Sequence, residues 1–234
     1  MVPDAALASI NHYLEEGKPE DLNTHKNDGV VRLKVIVHVG PKGFQKVGHI
    51  CFAYDDIVYS YGNYDSDSFR LNQTIGDGIF FTVPLEKYIP NMISAENNSI
   101  FEYGIYTTPK QNEGIEREIN IIRQNGYRWY TKIEKEDGYD RFKEFEMDYP
   151  SRLHYRTGAK LYKVKSGKFH IYWALGDNCA SFTDLVLGTL GADVLSMRGI
   201  ISPGTYLDWL QKEYLKKNSP IVYRCIYTKD TIEL

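Results

Sequence analysis

Val47-Gly-His-Ile-Cys-Phe-Ala-Tyr-Asp-Asp-Ile-Val-Tyr-Ser-Tyr-Gly62 holds two runs of β-branched and aromatic residues around an acidic dipeptide. Such runs favour strands, and a two-residue polar break suits a tight turn, so Val47 to Tyr54 and Ile57 to Tyr61 read as a β-hairpin turning at Asp55-Asp56. Upstream, Val30 to Val39 (VVRLKVIVHV) is a further strand, followed by a turn at Gly40-Pro41-Lys42-Gly43. Ile79 to Val83, Ile100 to Thr107 and Ile221 to Thr228 read as strands, and Lys160 to Val164 with Phe169 to Ala174 as a hairpin turning at Ser166-Gly167. Helical spacing marks Pro3 to Glu16, Glu113 to Gln124, Ala180 to Leu190 and Pro203 to Lys217. Gly62 to Gly78 reads as a loop, and Tyr127 to Arg156 mixes charges and aromatics without an order visible in sequence. The economical sum is one α+β domain over residues 1–234, a mostly antiparallel sheet packed with helices.

The chain has 234 residues, 42% of them hydrophobic, enough to bury a core. Nineteen tyrosines agree with a β-rich protein. The net charge of −3 and the lack of a long Lys/Arg block argue against a nucleic-acid partner. No run of about 18 apolar residues appears, so no stable membrane insertion is expected. The start, Met-Val-Pro-Asp-Ala-Ala-Leu, lacks a basic stretch followed by an apolar one, so synthesis in the cytoplasm without a signal peptide is expected. Three cysteines, Cys51, Cys179 and Cys225, leave at least one thiol free and show no paired metal spacing. No metal or cofactor is expected.

Cys179 stands at the expected start of a helix, after Asp177-Asn178, either of which can cap it. The N-terminal end of a helix has unpaired N–H groups and partial positive charge, which favour a thiolate and an oxyanion. On position alone a free Cys is more often a small buried hydrophobe. A thiol nucleophile needs a base, and the sequence offers six histidines. His12 and His25 look solvated, and His154 has no evident role. His38, His49 and His170 lie in strands, where a hydrogen-bonded structural role is the more common one. His49 follows Gly48, which allows close approach of another backbone or a substrate.

These segments resemble a family. Val-Gly-His49-Ile-Cys-Phe-Ala, the turn, and Val-Tyr-Ser-Tyr-Gly-Asn are similar to the His-bearing hairpin of circularly permuted NlpC-type papain-fold cysteine hydrolases. Asp-Asn-Cys179-Ala-Ser-Phe-Thr-Asp-Leu-Val-Leu-Gly resembles their Cys-bearing helix, and Ile201-Ser202-Pro203-Gly204 the approach to a later helix. In permuted members His precedes Cys, as here. The resemblance covers roughly Val47 to Asp65 and Gly176 to Pro203. It implies a permuted papain-like (NlpC-like) core with additional N-terminal and middle segments, Cys179 as nucleophile, His49 as base, and a peptidoglycan peptide amide as substrate. Such enzymes include antibacterial toxins injected by type VI secretion. That use implies delivery to the periplasm of a target cell, a secretion-apparatus partner and an immunity protein.

The resemblance also implies a polar residue on the strand after the His, holding the imidazole in one tautomer. A two-residue turn at Asp55-Asp56 sets His49 opposite Gly62 with Ser60 on the same face; a three-residue turn through Ile57 sets it opposite Asn63. A one-residue slip exchanges the faces. Asn63 is the expected orienting residue and Ser60 the alternative. Cys51, Cys225 and the three tryptophans are expected in the core, with Trp173 also able to wall a cleft. The same Cys–His pair would serve an acyltransferase, thioesterase or protein deamidase, and a non-catalytic binding domain could keep the fold.

Overall fold

The computed structural model describes residues 24–25, 30–39, 48–135, 147–191 and 202–229. Leu33–Val39 (β2) is apolar on nearly every position because both its faces are covered. Val35 and Val37 point to one core and Ile36 to another. Around it nine strands form one sheet: Thr24–His25 (β1), β2, His49–Tyr54 (β3), Ile57–Gly62 (β4), Ile79–Pro84 (β6), Ser99–Ile105 (β7), Gly126–Trp129 (β8), Lys160–Val164 (β9) and Ile221–Tyr227 (β11). Their order is β1-β11-β7-β2-β3-β4-β6-β9-β8, with every pairing antiparallel. Ile75–Asp77 (β5) and Ile171–Trp173 (β10) form a separate two-stranded ribbon.

Helices cover both faces. Pro109–Gln124 (α2), Cys179–Leu187 (α5) and Pro203–Leu215 (α6) close one core over Phe52, Tyr61 and Phe101. Leu85–Ser94 (α1) and Tyr149–Thr157 (α4) close the other over Cys51, Val58 and Phe81. A short helix, Lys132–Lys135 (α3), precedes α4. The architecture is therefore α+β with a mostly antiparallel sheet and six helices among the described residues.

The hairpin turn takes the two-residue form, with Tyr54 opposite Ile57 and Ala53 opposite Val58. Asp55 and Asp56 both have positive φ, 48° and 59°, the conformation that matches strand twist in a two-residue turn. Neither residue is glycine, and cations clamp both. Arg32 donates twice to the Asp55 carboxylate, at 2.7 and 2.6 Å, and Lys34 donates to Asp56 at 2.5 Å.

The expected hairpin of Lys160 to Val164 with Phe169 to Ala174 is absent. β9 already has β6 on one edge and β8 on the other, so no edge is left, and β10 pairs with β5 instead. The expected loop from Gly62 to Gly78 contains a 3-10 turn at Ser66–Ser68 and β5. α2 starts four residues before Glu113, at Pro109, because Thr108 and Gln111 form a capping box. α1 occupies a stretch for which no element is expected from the sequence. Its spacing of Leu85, Tyr88, Ile89, Met92 and Ile93 is helical, and Pro90 inside it masks the pattern. The expected helix at Pro3 to Glu16 and the turn at Gly40 to Gly43 lie outside the described residues.

Candidate active site

Cys179 is the first residue of α5, and Asn178, not Asp177, is its cap. The Asn178 Oδ1 accepts from the N–H groups of Ala180 and Ser181 at 2.9 and 3.1 Å, while Ser181 Oγ accepts from the Asn178 N–H at 2.9 Å. Asn178 Nδ2 donates to Ala174 O at 3.0 Å, which ties the cap to the segment leaving β10. The helix start that carries Cys179 is thus held by a reciprocal cap and by a tie to the segment after β10.

Cys179 is 5% exposed. Burial pushes its thiol up to about 11, while the backbone N–H groups of Ile50, Ala180 and Cys179 itself favour the thiolate. The Ile50 N–H locates the sulfur beside β3, one residue from His49. Toward this end of β3 the strand stays paired with β2 as far as His38 opposite His49. Its pairing with β4 stops at Phe52 opposite Tyr59. The helix start meets the sheet where that ladder opens.

His49 is half-buried and follows Gly48, whose φ of +80° lies in the left-handed region. Burial pushes its imidazole down to about 4. Its Nε2 lies 2.7 Å from the Oγ of Ser60, which is fully buried, and Ser60 Oγ lies 3.1 Å from Tyr64 OH. Tyr64 folds back onto Ser60 over Gly62, where a Cβ would stand 2.8 Å from the Tyr64 ring. Across the β2–β3 ladder the His38 ring centroid is 5.1 Å from that of His49, and His38 Nε2 is 3.1 Å from Tyr88 OH.

Asn63, the expected orienting residue, does not reach His49. Its amide nitrogen donates to Gln73 O at 2.7 Å and builds the loop. The two-residue turn is the physical reason, since it sends Ser60 to the face of His49 and carries Asn63 past the end of β4.

Strand alternation places Cys179 and His49 in different layers. Cys179 packs in the α5 core with Ile50 and Phe52, whereas Cys51, Ser60's diagonal partner His49, and Tyr88 belong to the α1 side. No hydrogen bond joins the two residues among the described residues; the Cys179 sulfur instead meets the N–H of Ile50, the residue after His49. Burial favours the neutral thiol of Cys179 and the neutral imidazole of His49.

The remaining expectations divide. Cys51 is fully buried and its thiol is raised by burial, in keeping with a core role. Trp173 is 47% exposed and is not core; it stands at the end of β10, with its backbone N–H donating to Asp177 O at 3.0 Å. His154 and His170 are structural, each within 2.8 to 2.9 Å of a backbone carbonyl, Ala159 O and Val164 O. His38, an open option in sequence, is brought against His49, and Tyr64 and Tyr88 join the cluster without a sequence signal beyond their aromatic character. Among the described residues no group of three or more His, Cys, Asp or Glu is placed to hold a metal, and no helix is long and apolar enough to cross a membrane. No family model matches the chain, and no significant match was found among curated proteins or solved structures.

Proposed function

We propose that the chain is a cysteine hydrolase of permuted papain-like type that cleaves an amide bond, with Cys179 as nucleophile and His49 as base. The observation that carries this reading is the placement of the Cys179 sulfur. It lies at a capped helix start, beside the Ile50 N–H and one residue from an imidazole anchored by Ser60. A core cysteine needs no capped, amide-lined helix start, and a core histidine needs no polar chain through Ser60 to Tyr64.

The chemistry follows from two neutral partners. The reaction uses the His49 tautomer that carries its proton on Nε2, facing Ser60 Oγ 2.7 Å away, which leaves the Nδ1 lone pair as the base. As Sγ bonds to the substrate carbonyl carbon, its proton passes to Nδ1 and the carbonyl oxygen becomes an oxyanion. The N–H groups at the start of α5 favour that charge. Collapse of the intermediate breaks the C–N bond, and the amine leaves with the proton from His49. Water then adds to the thioester, gives a proton to His49, and the acid leaves as Sγ–H is restored.

The resemblance of the two segments supports a peptidoglycan peptide as substrate, and delivery to the periplasm of a neighbouring cell with an immunity protein in the producer. Digestion of purified peptidoglycan by the wild type, Cys179→Ala and His49→Ala, with products separated and weighed, tests the reading. Soluble peptide release by wild type alone supports it. No release, with lipid esters or protein glutamines consumed instead, replaces the wall hydrolase with an acyltransferase or deamidase on the same pair. No turnover of any of them, with Cys179→Ala indistinguishable from wild type, leaves a binding domain.

A further inference from the structure

We infer that His38, held by Tyr88, is a positioning residue that keeps the His49 ring in its working orientation. The inference rests on reading His49 as the base. His38 and His49 are directly opposed in the β2–β3 ladder, so their side chains leave the sheet on one face. Their ring centroids are 5.1 Å apart with the planes tilted by 48°. His38 is 7% exposed, and its Nε2 is 3.1 Å from the hydroxyl of Tyr88, a fully buried residue of α1. Ser60 fixes one atom of the His49 ring but does not by itself stop the ring pivoting about that atom. His38 closes the open side, and Tyr88 stops His38 from moving away.

A buried imidazole costs more than an aliphatic residue that would fill the same space. The location suits a second task, which is to keep His49 an acceptor. Burial disfavours charge on His38, and the neighbouring His49 disfavours it further. Burial likewise disfavours charge on His49. Among the described residues no carboxylate forms an ion pair with either ring. Among the described residues the acids bonded into this cluster are Tyr64 after β4, through Ser60, Tyr88 on α1, through His38, and Cys51 on β3, through Tyr88, and burial favours the neutral form of each.

The test uses the intact protein, with His38→Phe and Tyr88→Phe as variants. Nitrogen-15 NMR of the imidazoles reads the His49 tautomer, and iodoacetamide labelling mapped to Cys179 reads the reaction rate from pH 5 to 9. Wild type is expected to show one His49 tautomer. Both variants are expected to show a mixture of tautomers and at least a fivefold slower labelling at pH 7, with unchanged circular dichroism. His38→Gln, which can still bond Tyr88, is expected to recover part of the rate. A single unchanged tautomer and an unchanged rate in a folded Tyr88→Phe overturn the inference, and that variant decides if His38→Phe does not fold. If His49→Ala labels as fast as wild type, the base reading fails on its own. The tautomer measurement then still reports whether His38 positions the ring.

Discussion

The Nε2 of His49 lies 2.7 Å from the Oγ of Ser60, across a hairpin whose turn holds two residues and no glycine. This contact fixes one ring nitrogen of the candidate base. It also explains why Asn63, three residues further on, cannot do so.

Ser60→Ala removes that contact while changing little volume. Peptide release is expected to fall by at least tenfold, with loss of the single His49 tautomer. Unfolding free energy should drop by about 1 kcal/mol, the usual net worth of one hydrogen bond. Asn63→Ala is expected to leave activity within twofold, since its amide serves the Gln73 carbonyl. The pair, compared in one peptidoglycan assay, separates the two candidates for the orienting role.

Asn178→Ala strips both acceptor contacts from the first turn of α5 and the tie to Ala174. Loss of a cap costs about 1–2 kcal/mol. Urea unfolding should register that loss, and labelling at Cys179 should change with it, because the sulfur shares the same helix start.

The pH dependence of stability has a definite sign. His49 is pushed down from 6.5 to about 4, so between these values the unfolded chain binds protons more readily than the folded one. Stability is therefore present above pH 6.5 and is lost as pH falls toward 4, by up to about 3 kcal/mol from this residue. His38 acts in the same direction. Urea midpoints from pH 7 to 4.5 should fall in wild type and fall less in His49→Gln.

Cys179 behaves in the opposite sense. Its thiol is raised from 9.0 to about 11, so iodoacetamide labelling at this residue should keep climbing with pH toward 11 instead of levelling near that of a free thiol. Folding stability due to this group holds below pH 9 and declines above it as pH rises through 11. A plateau near pH 7 would show a thiolate that the described geometry does not provide.

Asp56→Gly should stabilise the hairpin by several tenths to about 1 kcal/mol, since glycine adopts positive φ without strain. The exposed pair with Lys34 that it removes offsets only a small part of that gain. Thermal unfolding measures the net, and the His49–Ser60 contact should persist because the register is unchanged.

Local rules in the sequence were enough to find β2, the β3–β4 hairpin and the helix that starts at Cys179, and to narrow its cap to Asp177 or Asn178. β-branched runs, an acidic turn, and an Asn that satisfies first-turn N–H groups act over a few residues, and each is visible where it stands. What lay beyond local reach was set by pairing and burial. Which of Ser60 and Asn63 meets His49 depended on one residue of turn length, a choice that Arg32 and Lys34 support from a neighbouring strand segment. β10 joined β5 because both edges of β9 were taken. His38, Tyr64 and Tyr88 came to His49 from three separate elements, and the neutrality of Cys179 and His49 follows from burial in a packed sheet. A chain read residue by residue carries the side chains that could react; only the packed sheet decides which of them touch, and how much water is left around them.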